Sequence, residues 1–290
     1  PELISNKPDI LMVQGDTSSA FASALTAFNL NILVAHVEAG LRTDDINEPF
    51  PEEVNRRLIS QLATLHFAPT KRAYENLISS KVAGKIFITG NSVIDAINSE
   101  VLKFHLPEII ADKNLDKYKI ILTTIHRREN WGINIENICK AILKIIEKNK
   151  YAFFIIPLHK NKIVRDTIIK LLKNNKRILL TEPLNYKDLV AIMKKSYFIL
   201  TDSGGIQEEA PSFKKPILVL RNKTERQEII ENGIGKLVGT NIEKIVDESI
   251  NLLTSKKNYS IMSNSGNPFG DGRTSEMILE ICGNLLNKKI

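Results

Sequence analysis

The chain has 290 residues, of which 43% are hydrophobic and 25% charged, so it is long enough for about two domains and is not disordered, collagenous or a coiled coil. The 40 Lys and Arg against 33 Asp and Glu give a net charge of +7, but they are spread over polar helix faces without interleaved aromatic residues, which argues against nucleic-acid binding. Two cysteines, Cys139 and Cys282, exclude a disulfide framework and a four-cysteine zinc site, and indicate reduced thiols in a cytoplasmic protein.

Apolar runs of strand length alternate with amphipathic stretches of helical period along the whole chain. The predicted strands cover 10–14, 31–37, 65–68, 85–88, 119–125, 152–157, 177–180, 198–201, 216–220 and 235–238. The predicted helices cover 20–29, 52–63, 72–80, 134–148, 164–172, 187–194, 242–253 and 276–286. No apolar run approaches the roughly 20 residues of a membrane span.

Near-continuous apolar strands that are each followed by a helix predict an α/β fold with parallel sheets covered on both faces. The polar stretch 106–117 interrupts the alternation, which predicts the approach to a domain boundary. We therefore expect two Rossmann-like domains with a cleft between them, and ligands at the carboxyl ends of the strands.

Polar residues follow the first two strands. Gly15 and Asp16 end the first strand, and Asp16 is either a helix cap or a carboxylate that faces the cleft. His36 lies in the second strand and Glu38 directly follows it, and Arg42 comes two residues after Gly40. A carboxylate and an arginine around a glycine at a strand end favour a functional site.

The segment 51–57 begins with a proline and carries two glutamates and two arginines. Glu52 and Arg56, and likewise Glu53 and Arg57, are four residues apart. These pairs indicate either a surface ladder of salt bridges or a helix of which one glutamate points back into the cleft as an acid or base.

Strands in the second half of the chain end in cationic or glycine-rich segments. His126 and Arg127 follow one strand and His159 follows the next, which resembles an anion site. Ser203, Gly204 and Gly205 then open a helix, so that backbone N–H groups can approach a phosphate. Downstream, Glu209 is placed to hold ribose hydroxyls and Arg226 to clamp a phosphate.

Other common site patterns do not occur. The glycines within 233–239 lie around a strand rather than opening a helix, so they are not a dinucleotide fingerprint. The sequence contains no P-loop, no paired histidines at metal-binding spacing and no GxSxG elbow. It therefore predicts no metal.

Nine blocks together resemble the non-hydrolysing UDP-N-acetylglucosamine 2-epimerases. In chain order they are VQGDTSSAFASALTAF, HVEAGLRT, PEEVNRR, HFAPT, ITGNSVIDA, HRREN, LTDSGGIQEEAPS, KPILVLRNKTER and NPFGDGRTSEMI. The resemblance covers the chain from Pro8 to about Ile281.

The resemblance implies two Rossmann-like domains of glycosyltransferase-B type. It implies interconversion of UDP-GlcNAc and UDP-ManNAc without an added cofactor, by elimination of UDP to a 2-acetamidoglucal and re-addition. It further implies a cytoplasmic homodimer whose product feeds cell-envelope polysaccharides.

The resemblance also assigns roles to residues. The catalytic residues that it implies are Asp16, Glu38, Glu52 and His126. The substrate- and UDP-binding residues that it implies are Arg42, Ser203, Gly204, Gly205, Glu209 and Arg226. Arg127 and His159 match positions at which some bacterial members bind a second UDP-GlcNAc as an activator.

The resemblance divides the chain into a partial N-terminal domain with the catalytic carboxylates (1–100), a UDP-binding domain (118–265) and a final helical segment (266–290) that packs back on the first domain. The family's opening GTRPE block does not occur, so we expect the first domain to be incomplete at its N-terminus. Leu189 stands where the family often has an aromatic residue near uracil.

Three alternatives follow from these departures and from the fold. A truncated chain is expected either to retain epimerase activity or to bind a UDP-sugar without turning it over. A hydrolysing relative would release ManNAc and UDP. A glycosyltransferase of the same architecture is a further alternative, because a fold alone does not fix a function.

Overall fold

The computed structural model describes residues 2–43, 45–101, 107–111 and 113–287. The chain divides into two compact units: unit 1 is Pro1–Ala96 with Pro268–Ile290, and unit 2 is Ile97–Asn267. Positions 106 and 112 of the stretch predicted to approach a domain boundary lie outside the described residues.

All strands of the described residues run parallel to their neighbours. They are β1 (Ile10–Gln14), β2 (Leu33–Val37), β3 (Leu65–Ala68), β4 (Lys85–Ile88), β5 (Lys119–Thr124), β6 (Ala152–Pro157), β7 (Ile178–Thr181), β8 (Phe198–Thr201), β9 (Ile217–Val219) and β10 (Gly235–Leu237). Unit 1 holds a sheet of order β1-β2-β3-β4, and unit 2 holds a sheet of order β10-β9-β8-β5-β6-β7.

Helices connect the strands. They are α1 (Glu2–Ser5), α2 (Ser18–Asn29), α3 (Glu52–Leu62), α4 (Lys71–Ser79), α5 (Ser92–Val101), α6 (Glu108–Ala111), α7 (Ile133–Lys148), α8 (Lys162–Leu172), α9 (Tyr186–Lys195), α10 (Gly204–Glu209), α11 (Gln227–Glu231), α12 (Ile242–Thr254), α13 (Lys256–Ser263) and α14 (Thr274–Asn287). Two short 3₁₀ turns cover Arg128–Asn130 and Ala210–Phe213. No helix of the described residues is both long and apolar enough to cross a membrane.

Both faces of the unit 1 sheet are covered. Small side chains of α2, such as Ala24 and Ala27, pack with Val34 and with Ile59 of α3. On the other face, Ile278 of α14 joins a cluster with residues of β2 and β3. The central strands β2 and β3 are buried from both sides, whereas the edge strands β1 and β4 keep exposed residues such as Met12 and Ile88.

Isoleucine is the most frequent residue in the core of unit 2. Ile138, Ile142 and Ile145 recur on one face of α7 and are fully buried against the sheet. Ile245 of α12 joins the same cluster. This spacing of three and four residues is the pattern from which the helix was predicted.

The predicted α/β fold with two parallel sheets is confirmed. Strand ends shift by at most two residues from the predicted ones. For example, the strand predicted to begin at Asn31 begins at Leu33, because Asn31 has a φ of 56° and forms part of a turn. The helices α5 and α13 and the short helices α1, α6 and α11 were not predicted.

A glycine fixes the loop that follows β2. Gly40 has a φ of 94°, and a Cβ atom at this position would lie 2.2 Å from the carbonyl oxygen of Ala73 in α4. The carbonyl oxygen of Gly40 also accepts a hydrogen bond of 2.9 Å from Asn76 Nδ2. The loop therefore lies directly against α4.

We expect Gly40→Ala to lower the free energy of unfolding by about 3 kcal/mol, because the added methyl group meets backbone rather than a movable side chain. Gly283→Ala is the matched control: Gly283 lies in α14 with no atom within 4 Å of an added Cβ. That change is expected to stabilise by about 0.5–1 kcal/mol. Urea denaturation measures both, and equal effects of the two substitutions would contradict the packing described here.

Candidate functional site

The first two strands of unit 1 deliver two predicted site residues to one sheet edge. Gln14 pairs with Val37 in the register of β1 and β2, so Gly15 and Glu38 leave the sheet side by side. A Cβ atom on Gly15 would lie 3.7 Å from Glu38 Oε2. Glu38 has a φ of 65°, an uncommon conformation for a residue with a side chain, and such strain concentrates at functional sites.

Asp16 is held by α3. Arg56 donates to Asp16 Oδ2 from Nη2 at 2.5 Å and from Nε at 3.1 Å. Asn55 Nδ2 donates to the backbone carbonyl of Asp16 at 2.9 Å. The cap of α2 is instead Thr17, whose hydroxyl accepts from the backbone N–H of Ala20. The interpretation of Asp16 as a plain helix cap is therefore wrong.

Glu53 lies at the centre of this arrangement. Its side chain is 0% exposed and accepts hydrogen bonds from Arg56 Nη1 at 3.2 Å, Arg57 Nε at 2.8 Å and the backbone N–H of Thr43 at 3.1 Å. Glu53 and Asp16 thus share one arginine. The pair Glu53–Arg57 is part of this buried network rather than of a surface ladder.

Glu52 is the first residue of α3 and lies one turn before Arg56, hence on the same helix face. Its Oε2 atom is buried without a hydrogen-bond partner in the part of the chain that the structure describes. The structure therefore brings Asp16, Glu38 and Glu52 to the carboxyl-end edge of unit 1.

Arg42 is buried in unit 1. Its Nη1 donates to the carbonyl oxygen of Leu41 at 2.8 Å, and its Nη2 donates to Ser60 Oγ at 3.1 Å. These bonds tie the loop after β2 to α3. A role of Arg42 in substrate binding stays a prediction.

His36 of β2 is fully buried and its Nε2 lies 2.8 Å from the carbonyl oxygen of Gly15. Burial lowers its pKa to about 4, against the opposing effect of this hydrogen bond. The imidazole is therefore neutral at physiological pH and donates its Nε2 hydrogen to Gly15.

In unit 2, the buried carboxylate of Asp202 organises the loop that carries His126. Asp202 accepts from the backbone N–H of His126 at 2.9 and 3.1 Å and from that of Arg127 at 2.9 Å. Asn130 Nδ2 donates to it at 2.9 Å. The end of β5 is thereby fixed to the end of β8.

The Asp202 carboxylate also orients a predicted catalytic residue. His126 Nδ1 lies 3.1 Å from Asp202 Oδ1, which leaves Nε2 for a ligand. Burial opposes ionisation of Asp202, but the hydrogen bonds and charge of His126, together with the backbone N–H groups, outweigh it and lower its pKa. The ring of His126 stacks on that of His159, with centroids 5.8 Å apart.

Arg226 is held in a buried ionic cluster. Its Nε donates to Glu208 at 2.9 Å, and its Nη1 contacts Glu225. Glu225 also accepts from Arg221 at 2.8 Å, and Arg127 lies 3.7 Å from it. Burial opposes ionisation of Glu225, but the three arginines outweigh it and hold its pKa well below the usual range.

Gly204 is required by this cluster. A Cβ atom at Gly204 would lie 2.9 Å from Arg226 Nη1 and 3.2 Å from Glu225 Oε1. At Gly205 the nearest atom to an added Cβ is Ser203 Oγ at 4.0 Å, so this glycine borders open space. Gly204 therefore makes room for the packed Arg226 and Glu225 side chains, whereas Gly205 leaves the backbone accessible to a ligand.

A cavity of about 430 Å³ lies within unit 2. Its apolar wall includes Leu158, Leu184, Leu189 and Ile206, which suits a flat, apolar group. Its polar lining includes His126, His159, Lys160, Ser203 and Glu209. The cavity thus offers a ligand both apolar contacts and hydrogen-bonding or cationic groups.

Glu209, the last residue of α10, titrates close to neutral pH. Burial raises its pKa to about 7, and the hydrogen bond with Tyr186 only partly offsets this effect. Both residues line the cavity. Glu209 can therefore accept hydrogen bonds from ligand hydroxyl groups in its ionised form.

The family model of UDP-N-acetylglucosamine 2-epimerase matches residues 2–283. The chain belongs to this family. It is 47% identical over 275 residues to the UDP-N-acetylglucosamine 2-epimerase of Bacillus subtilis, covering 94% of this chain and 72% of that protein.

Solved structures of other epimerase-family proteins have the same fold. S. aureus MnaA in a co-structure with UDP is 46% identical with a TM-score of 0.95, covering 98% of this chain and 78% of that one. The UDP-GlcNAc 2-epimerase of Neisseria meningitidis bound to UDP-GlcNAc is 43% identical with a TM-score of 0.93, covering 97% and 78%. The expected membership of the epimerase family is confirmed.

Several residues of the candidate site were not predicted from the sequence. Glu53 and Asn55 stand beside the predicted Glu52, but their spacing also fits an exposed helix. Asp202 precedes the glycine pair, yet its partners lie 72 to 76 positions earlier in the chain. The only sequence signal for Asp202 is its position, directly after an apolar strand and before a glycine pair.

Proposed function

We propose that this chain interconverts UDP-N-acetylglucosamine and UDP-N-acetylmannosamine by epimerisation at C2. The observation that carries the proposal is its identity to named UDP-N-acetylglucosamine 2-epimerases over nearly its whole length. The three carboxylates at the sheet edge of unit 1 and the cavity of unit 2 supply the groups that this chemistry requires.

The reaction proceeds by elimination and re-addition. A base removes the C2 hydrogen as a proton, its electron pair forms the C1=C2 double bond, and the C1–O bond breaks with its electrons on UDP. The resulting 2-acetamidoglucal then takes a proton on the opposite face of C2 while a UDP oxygen bonds to C1. No electrons are gained or lost overall, so the proposal needs no redox cofactor.

The carboxylates of unit 1 carry the proton transfers. Glu38 is the base at C2, since its carboxylate lies at the sheet edge beside Gly15. Glu52, whose Oε2 has no partner among the described residues, exchanges a proton with the other face. Asp16, whose carboxylate is held by Arg56, is the third carboxylate of this proposed proton-transfer group. Inversion at C2 requires proton donors and acceptors on both faces.

Residues of unit 2 hold UDP. Leu184 and Leu189 receive the uracil ring, and Glu209 accepts hydrogen bonds from the ribose. His126, oriented by Asp202, and Ser203 contact the diphosphate. These donors stabilise the charge that develops on UDP as the C1–O bond breaks.

The proposal also covers the cellular location, the oligomeric state and the pathway of the enzyme. We place it in the cytoplasm as a homodimer that supplies an activated amino sugar for cell-envelope polysaccharides. Arg127 and His159 are the positions at which a second UDP-GlcNAc would act as an activator. The enzyme takes no metal in this scheme.

Incubation of the purified chain with either UDP-sugar tests the proposed function. Proton NMR is expected to show approach to the same mixture of UDP-GlcNAc and UDP-ManNAc from both directions. Steady accumulation of free N-acetylmannosamine would instead identify a hydrolysing enzyme. Binding of UDP in a calorimeter without any turnover would identify a UDP-sugar-binding chain without epimerase activity, and either result contradicts the proposal.

We expect Glu38→Gln to lower kcat at least about 100-fold, because the amide cannot take a proton. Its Kd for UDP is expected to stay within about twofold of wild type, since the UDP-binding residues belong to unit 2. Glu75→Gln, at an exposed position of α4 (59% exposed), is the control and should change neither quantity.

Arg226 is proposed to bind the diphosphate beside Gly204, where an added Cβ atom would lie 2.9 Å from Arg226 Nη1. Arg226→Lys is therefore expected to act in the opposite way. Lysine keeps a charge for Glu208 and Glu225 but loses the planar fork of the guanidinium, so UDP affinity should fall about tenfold. Calorimetry measures Kd, and thermal melting checks the fold. Equal losses of UDP affinity in the Glu38 and Arg226 variants would contradict this division of roles.

The pKa of Glu209, about 7, predicts a pH-dependent affinity for UDP-GlcNAc. Only the ionised carboxylate accepts bonds from both ribose hydroxyls, so the affinity should rise about tenfold from pH 6 to pH 8. UDP-GlcNAc is the suitable probe because both of its phosphates are diesters that hold no proton in this range. Glu209→Gln should bind with little pH dependence, whereas an unchanged slope in that variant would show that another group titrates.

A further inference from the structure

Two buried histidines occupy equivalent places in neighbouring strands of unit 1. His36 of β2 and His66 of β3 are partners in the sheet register, and neither is exposed to solvent. The Nε2 of His36 lies 2.8 Å from Gly15 O, and that of His66 lies 2.9 Å from Ala83 O. A carbonyl oxygen only accepts, so both rings carry their hydrogen on Nε2.

The two histidines differ in what they hold. Ala83 lies before β4, at the amino end of that strand, and its carbonyl is remote in sequence from every proposed site residue. Gly15 lies at the carboxyl end of β1 and is followed directly by Asp16. Only the His36 bond therefore reaches the candidate site.

Gly15 is attached to β2 through both of its backbone polar groups. Its N–H donates to the carbonyl oxygen of Val37 at 3.1 Å, and its carbonyl accepts from His36. Both partners belong to β2, the strand that continues into Glu38. The position of Gly15 relative to Glu38 is thus set by two hydrogen bonds, one of which comes from a side chain.

Asp16 is anchored from two directions as a result. Its carboxylate and its carbonyl are held by Arg56 and Asn55 of α3. The peptide that precedes it is held by His36 of β2. Loss of the His36 bond would free the backbone of the turn while the side chain of Asp16 remained tied to α3.

We infer that His36 is a positioning residue for epimerisation. By donating a hydrogen bond to the carbonyl of Gly15, it fixes the position of Asp16 relative to Glu38. This inference rests on the proposed function, because it assumes that both carboxylates act on one sugar ring. His36 does not itself touch the substrate.

The neutral state of the ring supports this role. Burial is the largest effect on the pKa of His36, and the nearby charged or titratable groups, His66, Asp16 and Arg42, change it less. A neutral donor orders the turn without neutralising the carboxylates that must exchange protons. The Nδ1 of His36 has no hydrogen-bond partner among the described residues, so no second bond supports a charged ring.

Matched substitutions at the two histidines test the inference. In His36→Gln the amide nitrogen can still donate to Gly15, whereas His36→Leu fills the space without a donor. His66→Gln and His66→Leu make the same changes in the same sheet, where the bonded backbone groups are those of Ala83 and Ala63, away from the turn at Gly15. All four variants are compared by thermal melting, UDP affinity and steady-state kinetics with UDP-GlcNAc.

We expect His36→Leu to lower kcat about 30- to 100-fold, because small misplacements of catalytic groups have effects of this size. KM and the Kd for UDP should stay within about threefold of wild type. His36→Gln should recover most of the rate, within about fivefold of wild type. Both His66 variants should keep wild-type kcat even where their melting temperatures fall as much as that of His36→Leu.

The wild-type rate is measured first, because an inactive wild type would overturn the proposed function and with it this inference. In an active enzyme, equal losses of kcat in His36→Leu and His66→Leu would show that both histidines serve stability alone. A rate in His36→Gln as low as in His36→Leu would show that the donated hydrogen bond is not the cause. Either result would overturn the role of His36 and leave the proposed function standing.

Discussion

The carboxylate of Asp202 is the interaction on which the proposed ligand site of unit 2 depends. It is fully buried at the end of β8 and is surrounded by donors from the loop after β5: two backbone N–H groups, the amide of Asn130 and the ring of His126. A buried anion is stable only when it is satisfied in this way. The same bonds order the loop and fix the face that His126 presents to the cavity.

Unit 1 uses a second buried carboxylate for a similar purpose. Glu53 holds two arginines and the loop at Thr43, and one of these arginines also binds Asp16. The neighbouring glutamates of α3 therefore differ in how they are held. Glu53 is paired at both oxygens, whereas Glu52 presents an oxygen without a partner among the described residues, the state that we propose for a proton carrier.

The alternation of apolar runs and amphipathic stretches was sufficient to predict the strands and most helices, because parallel strands buried on both faces carry an unbroken apolar signal. The strand-end residues Asp16, Glu38 and His126 were also predicted. The hydrogen bonds that hold these residues in place were not predicted, since the partners of Asp202 and of Gly15 lie far away in the sequence. The i,i+4 spacing of Glu53 and Arg57 is the same in an exposed ladder and in a buried network, so sequence could not decide between them.

The proposed epimerisation requires exchange of the C2 hydrogen with solvent, which one measurement tests directly. The wild-type chain is incubated with UDP-GlcNAc in D₂O, and deuterium at C2 is measured by NMR and mass spectrometry. UDP-ManNAc is expected to carry deuterium at C2, and the label is expected to appear gradually in the remaining UDP-GlcNAc. UDP-ManNAc that retained its original hydrogen would contradict the proposed epimerisation.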